Sequence, residues 1–390
     1  MMKVLYVSTS HRMGGAENSL LTLSGSIYKE EITPIFASPE NPDLLQALNE
    51  NNTLYELIDI RPFQPVSLLV RGRKVLNPPA VFVNLVIIWS VIRQLREIIR
   101  KHSIDIIHAN DLLADIAAGF AAKREKKPSV WYLRDNISKG IKRAVFDILG
   151  VRFSTKIVAV SNRTRAILNR SIDKALVIYN GVELERFSAD GSAATAENTG
   201  DDAGERKVIG MVGRISEAKG FETFLYAARK IVNAKSDVRF HIVGGPVTGD
   251  QERYYNKLKT LSAELELDNF VHFLGQRKDM PGVYADMDIL MLPSMREALP
   301  RTLIESQVSG TALIASNVGG AAEIIEDGVS GFLVGDWKDS DAFAERAIRL
   351  LKDPELLEKM KKSGRESVEA KFDIRNVVVE LACLYREIGE

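Results

Sequence analysis

A single cysteine, Cys383, stands among 390 residues. One thiol excludes an intrachain disulfide framework and a cysteine zinc cluster, and it fits a reducing cytoplasm. An excess of charge is missing too: lysine plus arginine and aspartate plus glutamate number 52 each. Without a global basic field nothing points to nucleic acid as a partner, although a local basic patch stays open. Long hydrophobic runs are absent. The longest, "AVFVNLVIIWSVI" at 80–92, is interrupted by Asn84 and Ser90 and falls short of the roughly 20 residues of a spanning helix. The opening "MMKVLYVSTS" stops at polar residues and reads as a first strand rather than a secretory signal. The expectation is a soluble cytoplasmic protein, with peripheral contact at the inner face of a membrane left open.

What is present is ordinary globular material, 45% hydrophobic and 27% charged, in a length comfortable for two domains. Short β-branched runs ending in polar or glycine breaks read as strands at 3–10, 32–38, 53–58, 104–109, 129–135, 156–161 and 176–181. Helical stretches lie between most of them, clearest at 85–101, where Ile88, Ile92, Leu95 and Ile99 share a face. Residues 188–206, "SADGSAATAENTGDDAGER", carry almost no large apolar side chain and cannot bury enough surface to offset the entropy of ordering. They read as a linker. The alternation then restarts at 207–215, 238–245, 270–276, 288–294, 311–317 and 331–336. Strands alternating with helices predict an α/β fold of two doubly wound parallel-sheet domains, with ligands at the carboxyl ends of the strands.

Two stretches in the second half carry candidate chemistry. In "GRISEAKG", 213–220, Gly213 permits close backbone approach while Arg214 and Lys219 offer a guanidinium fork and a point charge. That combination suits a diphosphate, and a solvated loop with surface charges competes with it on even terms. In "REALPRTLIES", 296–306, Glu297 and Glu305 lie eight residues apart around Pro300. Proline fits a first helical position, and the free amides there favour an anion. Glu305 would sit roughly 7.5 Å further along the helix, matching the span from a phosphate to ribose hydroxyls. Taken alone, two exposed glutamates on a solvated face remain the competing reading.

Seven stretches in register resemble the retaining glycosyltransferases of the GT-B fold, glycosyltransferase family 4. They are "HRMGGAEN" (11–18), "AVSNRTR" (159–165), "VIYNGVELERF" (177–187), "GMVGRISEAKG" (210–220), "VHFLGQRKDMPGVYADMDILMLPS" (271–294), "REALPRTLIESQVSG" (296–310) and "NVGGAAEIIEDGVSGFLV" (317–334). The resemblance implies two Rossmann-like domains: an acceptor-binding one over 1–187 and a nucleotide-sugar-binding one over 207–373. The helix at 374–390 is expected to pack back on the first. It also implies roles. Arg214 and Lys219 hold the donor diphosphate, Glu305 accepts from the ribose hydroxyls, and Glu297 lies by the transferred sugar. Gly14 and Gly15 bring backbone amides near the phosphate and reacting centre, and Arg301, Thr302 and Leu303 complete the donor-binding set. The implied partners are a nucleoside-diphosphate sugar and a glycan or lipid-linked acceptor in polysaccharide, cell-wall or glycolipid synthesis, with no cofactor and no metal.

The departures matter as well. Where many relatives place a histidine near the sugar, "WYLRDN" places Arg134, which stays protonated and cannot act as a general base. Either no base is needed, or the role moves to Asp135 or His108, or catalysis is impaired and the chain is a sugar-nucleotide-binding protein. Transfer in this fold is usually pictured as front-face attack, with the leaving phosphate taking the acceptor proton. His108 is open to either an acceptor-site or a structural role. Asp286 and Asp288 show a D-x-D spacing but are expected to form a turn, and Glu323 a tight connection on the donor side. Residues 68–89 join Arg71, Arg73 and Lys74 to an apolar stretch, either a surface touching anionic lipid or a buried helix behind a basic loop. A nicotinamide oxidoreductase is disfavoured, since no G-x-G-x-x-G follows the first strand of either half.

Overall fold

The computed structural model describes residues 1–65, 67–70, 73–134, 137, 140–188, 206–235 and 237–389. Two compact units emerge, one formed by Met1–Gly181 with Ile374–Glu390, the other by Val182–Asp373.

The first unit begins with β1 (Met2–Val7), α1 (Gly15–Ile27), β2 (Ile32–Ser38), α2 (Pro42–Glu50) and β3 (Leu54–Leu57). A small antiparallel hairpin, β4 (Ser67–Val70) with β5 (Arg73–Leu76), then precedes the 25-residue α3 (Pro78–His102). The unit continues through β6 (Ile106–Ala109), α4 (Leu112–Glu125), β7 (Ser129–Leu133), α5 (Ile141–Phe153), β8 (Lys156–Ala159), α6 (Asn162–Arg165) and β9 (Ala175–Val177). Its seven-stranded parallel sheet has the order β3-β2-β1-β6-β7-β8-β9. Val4 to Val7 are fully buried, as a strand covered by helices on both faces requires.

The second unit runs from α7 (Leu184–Phe187) through β10 (Lys207–Val212), α8 (Phe221–Ala234), β11 (Val238–Val243), α9 (Gly249–Glu264), β12 (Val271–Gly275), α10 (Met280–Ala285) and β13 (Ile289–Leu292). Then come α11 (Arg301–Val308), β14 (Ala312–Ser316), α12 (Ala321–Ile324), β15 (Phe332–Val334), α13 (Ser340–Lys352) and α14 (Pro354–Phe372). The six-stranded sheet order is β12-β11-β10-β13-β14-β15. In both sheets the order reverses beside the first strand, between β1 and β6 and between β10 and β13, so each sheet has a switch point at its carboxyl edge.

One boundary differs from the sequence expectation. The second unit starts at Val182 rather than beyond 187, because the Val182 amide donates to the Phe372 carbonyl at 2.8 Å and the Ser309 hydroxyl to the Phe187 carbonyl at 3.0 Å. The Phe187 ring also lies 6.1 Å from that of Tyr284. Of the expected linker, 189–205 lie outside the described residues. The last helix, α15 (Ile374–Gly389), belongs to the first unit, where Tyr385 is fully buried against Tyr6 and His108.

His241 on β11 faces His272 on β12 across the ladder and is 6% exposed. Burial first, then His272 and Arg239, lower its pKa to about 4. The unfolded chain therefore takes up this proton below pH ~6.5 while the folded chain resists until about 4. The stabilising contribution is complete above ~6.5 and lost as acidity rises towards 4, about 3 kcal/mol in all. Urea midpoints between pH 7 and 4 should fall accordingly, and His241→Gln should flatten that slope.

Candidate functional site

In the second unit, three loops leave neighbouring strands β10, β13 and β14 at the carboxyl edge, and glycines let them touch. Gly220 has φ +78, and a Cβ there would lie 1.9 Å from the Pro293 carbonyl oxygen. The Met295 amide donates to the Ala218 carbonyl at 2.9 Å, tying the first loop to the second. Gly319 has φ +55, and its Cβ would meet the Glu297 carbonyl oxygen at 1.7 Å. The Gly320 amide donates to the Ala298 carbonyl at 2.8 Å, tying the third loop to the second. Only glycine combines a left-handed φ with so close a backbone approach.

These contacts bring Lys219 and Glu297 together, 78 residues apart in sequence, with Nζ 2.6 Å from Oε1. Both side chains are largely shielded, at 22% and 11% exposed. Lys219 spends one of its three N–H donors on this carboxylate, leaving two. Arg214, in the same loop, is exposed and is held by no other described residue. The candidate diphosphate grip is thus one paired and one uncommitted cation at the switch point.

Pro300 is the N-cap of α11 rather than its first helical residue, with φ −73 and ψ 107. The helix ends at Val308 and is followed by Gly310 at φ +82. Glu305 is 9% exposed and accepts from two groups. Tyr284 donates its hydroxyl to Oε2 at 3.0 Å, and the Arg301 guanidinium donates to Oε1 at 3.0 Å. Burial and then Glu305 push the Tyr284 pKa well up, so the phenol stays a donor. Arg301, expected among the donor-binding groups, is therefore committed to Glu305, whose position it fixes. Leu303 is 0% exposed and its amide donates to the Pro300 carbonyl at 3.1 Å, so it serves the core rather than a ligand. The Thr302 and Ser294 hydroxyls are buried with no hydrogen-bond partner among the described residues. The sequence reading missed Tyr284. Its one signal was a tyrosine inside the matched stretch "PGVYADMD".

In the first unit, Gly14 caps α1 and Gly15 opens it, beside the carboxyl end of β1. A Cβ on Gly14 would lie 3.0 Å from Glu17 Oε2. Glu17, which the sequence reading also missed, is 5% exposed and accepts the Ser8 hydroxyl at 3.2 Å. Burial raises its pKa more than its own backbone amide and Ser8 lower it. Arg134 follows β7, donates to Asn180 Oδ1 at 2.5 Å and stacks 4.0 Å above the Tyr132 ring. His108 needs correcting as a candidate at the reacting centre. It is 0% exposed on β6, stacks 4.9 Å from the Tyr132 ring, and shares a hydrogen bond with the Tyr385 hydroxyl. Burial first, then the Arg134 charge, hold its pKa well below the usual histidine value. A neutral imidazole sealed among tyrosines is a core residue. Asp135 lies outside the described residues.

Asp288 is taken up by Lys207 and Lys361, at 2.9 and 3.0 Å, and by the Val208 amide at 3.1 Å. Asp286 is an exposed C-cap of α10. Glu323 lies in the first turn of α12, half-buried, its amide donating to the Gly320 carbonyl at 3.0 Å. Among the described residues no group of three or more histidine, cysteine or acidic side chains could hold a metal ion.

Fold and site together define a GT-B glycosyltransferase architecture. The family model for Glycosyl transferases group 1 matches residues 196–367, and that for Glycosyltransferase Family 4 matches 13–186. The chain belongs to the group 1, family 4 glycosyltransferases. It is 31% identical over 224 residues to spore coat protein SA of Bacillus subtilis, covering 55% of this chain and 59% of that protein. It is 28% identical over 315 residues to the Escherichia coli UDP-Gal:alpha-D-GlcNAc-diphosphoundecaprenol alpha-1,3-galactosyltransferase, covering 75% and 77%. Among solved structures, Anabaena HepE in complex with UDP and glucose superposes with a TM-score of 0.81 at 22% identity, covering 98% of this chain and 99% of that one.

Gly319→Ala should displace the Glu297 backbone. A left-handed alanine alone costs about 1–2 kcal/mol, and the 1.7 Å approach adds to it. Thermal unfolding should show the second unit melting several degrees lower.

Proposed function

We propose that this protein is a retaining, metal-independent glycosyltransferase that moves a sugar from a nucleoside-diphosphate sugar to an acceptor hydroxyl. The observation that carries the reading is the Lys219–Glu297 contact at the switch point, with Arg214 exposed in the same loop and Glu305 held by Tyr284 and Arg301. The diphosphate would lie against Arg214 and Lys219 and the amides at the start of α11, with the ribose hydroxyls on the remaining lone pairs of Glu305. Glu297 would face the transferred sugar.

As the glycosidic bond breaks, negative charge builds on the leaving diphosphate. Two fixed cations stabilise that charge more than they stabilise the ground state, which lowers the barrier. Such electrostatic help needs no metal. With Arg134 unable to accept a proton and His108 buried, the leaving phosphate itself would take the acceptor proton, on the same face of the sugar, which retains configuration. A lipid-linked or polymeric glycan acceptor is the partner favoured here, with residues 68–89 touching a membrane at the inner face and the chain otherwise cytoplasmic. The name of the Escherichia coli relative, which transfers to a diphosphoundecaprenol-linked sugar, supports that choice. The second reading, a binding protein that holds the donor without turning it over, is favoured by one observation, the arginine bound to Asn180 where a histidine stands in many relatives.

Binding and slow hydrolysis of uridine, guanosine and adenosine diphosphate sugars, measured without metal, separate these readings. Release of nucleotide by wild type, lost in Glu305→Ala, is the expected result. Binding without release, even when glycan or polyprenyl-linked acceptors are supplied, would favour the binding protein. Lys219→Ala should lower turnover by about 100-fold or more; activity within about threefold of wild type would refute its role.

A further inference from the structure

The first unit exposes two apolar helix faces, and only one of them was visible in the sequence. On α3 the inner stripe runs through Ala80, Asn84, Ile87, Val91 and Leu95. The opposite side leaves Phe82 68%, Leu85 58%, Val86 50% and Trp89 63% exposed. Residues 78–92 carry no charge at all. By length and composition α3 could cross a membrane, but its inner stripe is spent on the core of the first unit. It therefore lies on that unit rather than standing free as a span.

The second face is on α5. Phe146 and Gly150 turn inward, the Phe146 ring 5.2 Å from that of Trp131. Ile141 at 83%, Val145 at 43%, Ile148 at 49% and Val151 at 43% stay outside. Spaced by four, three and three residues, they form one stripe on a single side of the helix. The charges around the stripe are of one sign: Lys142 and Arg152 are exposed and Arg143 half-exposed. The helix has one acid, Asp147, and it is buried, accepting the amides of Arg170 and Ser171 at 2.8 and 2.9 Å.

The two faces point the same way. Right-handed crossovers from β3 to β6, β6 to β7 and β7 to β8 put α3, α4 and α5 on one side of the sheet. The crossovers from β1 to β2 and β2 to β3 run the other way and put α1 and α2, with α15, on the opposite side. α4 packs between α3 and α5. One side of the unit thus shows two apolar stripes flanking a buried helix, with basic groups beside them.

We propose that α5 is a second membrane-docking element, and that the first unit lies with its α3–α4–α5 side on an anionic phospholipid bilayer. This extends the membrane contact already proposed for 68–89 to a helix outside that segment. Charge decides the occupant. A two-fold pairing of copies through α5 would set Lys142, Arg143 and Arg152 against the same cations, whereas a surface rich in phosphatidylglycerol neutralises them. The apolar stripe then sinks to the acyl boundary while the lysine and arginine stems reach back to the headgroups.

The test is sedimentation of the full chain with vesicles rich in phosphatidylglycerol and, separately, with vesicles of phosphatidylcholine alone. Trp89 fluorescence serves as a second readout in a Trp337→Phe background, since Trp131 is fully buried and Trp337, in the second unit, is half-buried. Wild type should pellet with the anionic vesicles and blue-shift. Ile141→Gln/Val145→Gln/Ile148→Gln should weaken partitioning about tenfold or more, with far-UV circular dichroism unchanged. Phe82→Gln/Trp89→Gln should weaken it as well. If the α3 pair matters and the α5 triple does not, the proposal is overturned while the 68–89 reading survives. It is equally overturned by no binding, by equal binding to both vesicle types, or by a dimer in light scattering that the α5 triple dissolves. Neither donor nor transfer is read in this assay, so its result is separate from the sugar-nucleotide reading.

Discussion

The second unit turns on one contact, the 2.6 Å pair between Lys219 and Glu297. Two opposite charges at the carboxyl edge of a parallel sheet could each find water. They are kept together because three loops are pressed into contact by Gly220 and Gly319, whose left-handed backbones admit carbonyl oxygens where any side chain would collide. The pair has a consequence for any incoming anion. Glu297 already neutralises Lys219, so a diphosphate must share or displace that carboxylate, while Arg214 stands ready as an uncommitted fork.

Glu305 shows the complementary arrangement. Its carboxylate is buried, yet both oxygens are engaged, one by a phenol that burial keeps protonated and one by a guanidinium four residues away. A buried carboxylate without such partners would be driven to protonate. Tyr284 and Arg301 hold it in place as an acceptor. The first unit uses burial differently. His108, Tyr6, Tyr132 and Tyr385 form an aromatic nest that fastens α15 to the sheet, and the Arg134 charge beside it helps keep the imidazole neutral. Arg134 is thereby both a group at the carboxyl edge and an electrostatic neighbour of the core.

Much of this was legible in the residues. Alternating β-branched runs and amphipathic stretches dictate strands and helices, and their order dictates two doubly wound sheets, because period and crossover handedness leave few alternatives. The placement of Arg214, Lys219 and Glu297 in loops leaving strand ends follows from the same local patterns. What the sequence could not decide is which side chains meet. That Arg301 serves Glu305, that Leu303 is core, and that His108 ends a strand inside the protein rather than at its rim depend on contacts between segments far apart in the chain. The domain boundary falls at Val182 because an amide there pairs with Phe372, 190 positions on. The exposed stripe of α5 was hidden for the same reason, since an apolar residue at helical spacing reads as core until the neighbouring elements show which face they cover. Local periodicity fixed the elements of this protein; long-range packing alone settled which of their polar groups are spent in the core and which remain for a ligand.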